Sequence, residues 1–173
     1  MQQEYGVELV HTAFPLHPET PEEGRELSEL FAGREEYIEA MQIRLSQAAE
    51  AEGLPLARRT RTCNSRLAQE LGKWAESQGL GEQFHRAVYR SYFVDGSNIA
   101  LVEVLIRIAA SVGLSEVEAG TVLTTRNFAA EVDADWQRAR ELRITAVPTH
   151  LCDGRRLAGF SHYDDFVRLI GKR

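Results

Sequence analysis

The chain has 173 residues, 43% hydrophobic and 27% charged, with a net charge of −6. That length is enough for one domain with a substantial core, and the acidic balance argues against nucleic acid as a partner, since no basic stripe is present to displace phosphate counterions. No run reaches the roughly 18 apolar residues of a membrane span, and the N-terminus lacks a charged-then-apolar signal pattern, so a cytoplasmic location is expected.

In chain order, Met1 to Gly6 reads as the tail of a helix with Gly6 at a stop position. Val7 to Phe14 reads as a strand that ends in the extended Pro15-Leu16-His17-Pro18. Thr20-Pro21-Glu22-Glu23 predicts a helix start, with Thr20 as N-cap and Glu23 closing a capping box. From about Gly33, Tyr37, Ile38, Met41, Leu45 and Ala48-Ala49 recur at helical spacing, and Gly53-Leu54-Pro55 stops that helix. Arg58-Arg59-Thr60-Arg61 is the one basic cluster and reads as solvated loop charge. Further helices are expected over Arg66–Gln78, Glu82–Phe93, Ile99 or Leu101 to Val112, Ser115–Leu123 with Ser115 as cap, and Ala129–Leu142. Trp74, Trp136 and the Tyr89–Phe93 cluster are spaced as helix core.

The most informative stretch is Arg143 to Phe160. Ile144–Val147 approaches a proline, Thr149–Cys152 is a short extended run, and Asp153-Gly154 is a strong two-residue hairpin signal before Arg156–Phe160 returns. Pro148 cannot donate to a ladder, so it belongs at an edge, a strand start or a special turn; a cis Val147-Pro148 bond is one such case. Tyr163 to Ile170 reads as a closing helix. Strand, long helical block, then strand-turn-strand-helix makes one compact α/β unit.

Cys63 and Cys152 form neither a Cys-x-x-Cys nor a zinc pattern, and two free, mostly buried thiols are expected. His150 and Cys152 share a strand face and could join His11, His17 or His162 around zinc, but an ordinary strand is the reading kept, with no metal site. Ser161, His162 and Asp164 have no nucleophile elbow around them.

Together these segments resemble the FrnE group of DsbA-like thioredoxin-fold proteins. The resemblance rests on Gly6–Val10 leading to Phe14–Pro18, on Asn64-Ser65-Arg66-Leu67-Ala68, on Phe84–Phe93 followed by Asn98-Ile99, and on Ala139–Thr149. It implies a thioredoxin-like α/β fold from about 1–30 and 129–173, interrupted by an all-helical insert at about 31–128. It also implies a thiol-disulfide oxidoreductase in which Val147, Pro148 and Thr149 dock a thiol or disulfide substrate, with Phe14, Tyr92 and Phe93 as groove candidates. The departure is that the family's first strand and Cys-x-x-Cys would stand ahead of Met1. Such chemistry needs a low-pKa thiolate at a helix N-terminus and a resolving thiol two residues away, and neither cysteine here has that spacing. The chain is therefore expected to lack reductase activity and any catalytic residue, leaving Cys63, and after it Cys152, as outside candidates for a reactive thiol. The alternatives are a redox-dead peptide- or partner-binding module, or a relative of the glutathione-dependent 2-hydroxychromene-2-carboxylate isomerases and kappa-type transferases. No cofactor is expected, glutathione being a possible substrate or cosubstrate. Either a homo-oligomer covers the gap or the Val7–Phe14 strand pairs directly with the one after Pro148, the alternative being a start codon placed too late.

Overall fold

The computed structural model describes residues 2–171. In chain order its elements are α1 (Gln2–Tyr5), β1 (Arg25–Glu26), α2 (Leu27–Leu30), α3 (Glu35–Ala51), β2 (Arg61–Thr62), α4 (Arg66–Ser77), α5 (Gly81–Phe93), α6 (Val102–Ser111), α7 (Glu116–Thr125), α8 (Ala129–Glu141), β3 (Thr149–Cys152), β4 (Arg155–Ala158) and α9 (Tyr163–Leu169). They divide into two compact units: Pro15–Val132, and Met1–Phe14 with Asp133–Arg173.

The Pro15–Val132 unit is built on α4 to α7. Their apolar stripes interlock, with Leu71, Phe84, Leu105, Ala109 and Ala119 entirely out of water and Trp74, Val88, Ile108 and Val122 nearly so. Burial of this kind, at about 25 cal/mol per Å² of apolar surface, is the main favourable contribution to the unit. The helices stop where the chain changes chemistry. The turn from α4 to α5 brings Gly81 so close to Glu76 that a Cβ there would lie 2.6 Å from the Glu76 Cγ, which only glycine avoids. Ser115 caps α7 by accepting the Glu118 amide, as its spacing predicts. Of the expected core aromatics, Trp74 is buried, Trp136 is half-buried and Tyr89 is exposed.

The predicted helix at Thr20 does not form. Thr20 is buried, and the chain turns twice, His17 accepting the Thr20 amide and Pro21 accepting that of Gly24. Gly24 sits at φ 83°, where a Cβ would lie 2.7 Å from the Thr62 carbonyl oxygen; that close approach directs the chain into the antiparallel β1–β2 pair instead. Asn64 donates to the Pro18 and Thr20 carbonyls, and Asn98 to that of Glu22. These long-range bonds tie Pro15–Leu30 to the helices, so the division falls after Phe14 and not near residue 30. In the basic cluster Arg58 and Arg61 stay exposed to solvent, as expected, but each is paired. Arg58 pairs with Glu39, Arg61 with Glu26, and Arg59 lies against aromatic rings.

In the other unit, β3 and β4 form an antiparallel hairpin with Cys152 opposite Arg155 and His150 opposite Leu157. Asp153 and Gly154 take φ values of 48° and 76°, the left-handed pair of a type I′ turn. Arg155 donates to the Arg168 carbonyl at the end of α9, and Arg156 to the Leu142 and Arg143 carbonyls that follow α8. Two consecutive side chains on opposite faces of a strand thus fasten two helix C-termini, each placing a cation where the unpaired carbonyls gather. The expected Val7–Phe14 strand is absent. That segment belongs to no ladder among the described residues, nor does it pair with β3. Its alternating pattern suits a strand, but strand structure exists only through a hydrogen-bonded neighbour. Its far end is held by the Ala13 amide donating to Asp135 at 2.8 Å.

Candidate substrate-docking site

Val147, Pro148 and Thr149 stand where the chain leaves the turn after α8 and enters β3. Arg143, at φ 53°, reverses the chain in the left-handed region, while Ile144 donates back to the Ala139 carbonyl. The Val147-Pro148 bond is cis. The Pro148 carbonyl accepts the Gly159 amide at 2.8 Å, and the Thr149 hydroxyl donates to the Ala146 carbonyl.

The hairpin register decides which backbone groups remain open. A two-residue turn closes on a hydrogen-bonded pair, here Cys152 with Arg155, and such pairs alternate along the ladder. His150 with Leu157 is the next, and Pro148 with Gly159, whose bond is observed, is the third. The intervening residues, Thr149 and Leu151, therefore aim their amides and carbonyls at the other edge of β3, where no strand lies among the described residues. Val147 and Leu151 keep 44% of their surface in water along this edge. Chemically this is a template for an extended peptide, with main-chain hydrogen bonds and apolar contact alternating along it.

Cys63 precedes α4 by three residues and is half-buried. Burial pushes its thiol up, more than the Ile99 backbone hydrogen bond and the Arg59 and Arg61 charges draw it down. That direction opposes the lowered pKa a reactive thiol needs at a helix start. Cys152 is half-buried on β3 and also free. Phe14 ends the first segment of the hairpin unit, half-buried. Tyr92 and Phe93 belong to the helical unit, edge-to-face at 4.9 Å. Arg59 covers both, its guanidinium carbon 4.6 and 4.8 Å from their centroids, and donates to the Tyr92 hydroxyl. A guanidinium thus lies over both rings. Nothing in the local sequence marks Arg59 for this place, because its partners lie some thirty positions away. No cluster of three metal-binding side chains occurs among the described residues, and no helix there is long and apolar enough to cross a membrane.

A short hairpin entered through a proline turn and closed by a helix, joined in sequence to a helical block, is the arrangement of a DsbA-type thioredoxin fold. The family model of the DSBA-like thioredoxin domain matches residues 1–171, and the chain belongs to that family. It is similar to a Streptomyces coelicolor structure, SCO1869, described as a probable DsbA oxidoreductase. That match has a TM-score of 0.88 and 28% identity, covering 99% of this chain and 79% of the other. A Nitrosomonas europaea structure, provisionally described as a protein disulfide isomerase, matches with a TM-score of 0.67 at 15% identity over 98% of this chain and 84% of its own, a likeness of fold alone. The uncharacterized Bacillus subtilis protein YwbO is 28% identical over 105 residues, 60% of this chain and about half (52%) of YwbO's own length.

Proposed function

We propose that this chain carries the substrate-docking part of a thiol-disulfide oxidoreductase of the FrnE type. An extended peptide bearing a thiol or disulfide lies along the open edge of β3, beginning at Val147, Pro148 and Thr149. The observation that supports this reading most is the register, which leaves the Thr149 and Leu151 backbone groups unclaimed by β4. Family membership supports the chemistry of the ligand. The two free cysteines suit a reducing compartment. Because the chain contains no Cys-x-x-Cys, these 173 residues do not turn over disulfides by dithiol exchange.

Titration with a cysteine-containing peptide, followed by amide NMR, tests the docking. Shifts at Thr149 and Leu151, with β4 amides unmoved, are expected. Shifts confined to Tyr92 and Phe93 overturn the assignment of the site. Signals at the edge that broaden with protein concentration alone place a second copy of the chain there instead. Insulin reduction that survives Cys63→Ala with Cys152→Ala overturns the inactive reading.

A further inference from the structure

We infer that His150 is an acid-sensitive latch between the β3–β4 hairpin and α9, closed while its imidazole is neutral and opened by protonation. His150 lies on the hairpin face that meets α9, and its ring makes a T-shaped pair with that of Phe166, centroids 4.8 Å apart. Its Nδ1 is shut off from water and has no hydrogen-bond partner. A neutral ring tolerates this by leaving Nδ1 as an unprotonated acceptor. An imidazolium must carry N–H on both nitrogens, so protonation puts an unpaired, charged donor into that contact.

The groups facing His150 offer the charge little. Cys152 shares its strand face, with Arg155 opposite Cys152 on β4, and a second cation there opposes protonation. Arg156, on the other β4 face, is engaged by the carbonyls after α8. On α9, Asp165 is taken by Arg168 and by the His162 amide, and the Tyr163 hydroxyl by Glu4. Asp164 is exposed at the first turn. The Phe166 ring attracts a cation only where its face is turned to the charge. Burial nonetheless draws His150 below the ordinary histidine value. The sign follows: a group whose folded pKa is depressed supports the fold above its unfolded value of about 6.5 and withdraws that support as pH falls toward the folded pKa. Over that window the open fraction of the latch rises up to about tenfold per pH unit.

Hydrogen exchange of α9 amides between pH 7.5 and 5, corrected for intrinsic rates, is the test, with α4–α7 amides as internal reference. Protection of α9 is expected to drop about tenfold in the natural chain and to stay level in His150→Phe. Equal loss in both overturns the latch. If His150→Phe does not fold, the NMR titration of His150 in the unaltered chain decides: a midpoint below about 6.5 supports the latch, and one at or above it overturns it.

Discussion

The α4–α7 core and the hairpin unit handle their apolar residues in opposite ways. In the Pro15–Val132 unit, Leu71, Phe84 and Leu105 have no exposed surface. In the hairpin unit, Leu9, Val10, Val147, Leu151 and Phe160 all stay in water, Val10 at 73%. The difference comes from where each structure finds its hydrogen bonds. A helix satisfies its own backbone, so α4 to α7 need only bring stripes together. A strand depends on neighbours at both edges, and β3 has one among the described residues. The α4–α7 core is closed in its own packing, although the same unit leaves Tyr37, Leu54 and Val117 in water, whereas the hairpin unit presents an edge and an apolar margin.

The contrast can be broken from the helical side first. Phe84→Ala empties the centre of the core and is expected to cost about 3–5 kcal/mol, read by denaturant midpoint. Glu70→Gln comes next. Glu70 keeps 1% of its side chain exposed between Arg66 and Arg126, and removing its charge leaves two cations sharing a neutral partner. Arg126 is 46% exposed and can turn to water, so the expected loss is near the low end of the range for broken buried pairs, about 3 kcal/mol. Burial pushes the Glu70 carboxyl up, but the hydrogen bonds and charges of Arg126 and Arg66 outweigh it and hold the group below the usual carboxylate range. The stability it provides is therefore present above about pH 4.3 and lost as pH falls through the folded pKa, an acid limb that Glu70→Gln should flatten.

Changes in the hairpin unit should be smaller. Arg143→Gly relieves a left-handed backbone position without touching the core, and a gain of about 0.5–1 kcal/mol is expected in thermal unfolding. A loss above that size would show that the Arg143 side chain carries a contact of its own. Leu151→Lys, on the open edge, should change stability by less than about 0.5 kcal/mol while weakening peptide docking. A large destabilisation by Leu151→Lys would mean that the edge is already covered in solution, and the contrast between the units would vanish.

Much of this architecture is legible in the linear chain where one local rule suffices. Asp153-Gly154 fits a turn that demands two positive φ values, and it is found there. Ser115 with Glu118, and the stripes of α4 to α6, likewise carry their geometry in their spacing. Where a residue's role depends on a distant partner, local reading fails. Thr20, Pro21 and Glu23 satisfy a capping rule, yet the closeness of Gly24 to Thr62 turns the chain into β1. The candidate site is divided in the same way. Pro148 is visible as an interruption of a strand, but the open edge beside it follows from the register with β4.

Composition and period by themselves determined that the chain is α/β, where its main helices lie and where its hairpin turns, because these depend on residues within a few positions of one another. Tertiary structure alone decided that Val7–Phe14 joins no ladder among the described residues, that Arg59 covers Tyr92 and Phe93, and that Glu70 is held between two arginines. Those outcomes are interactions between segments tens of residues apart, and neither partner carries a mark of the other in its own neighbourhood.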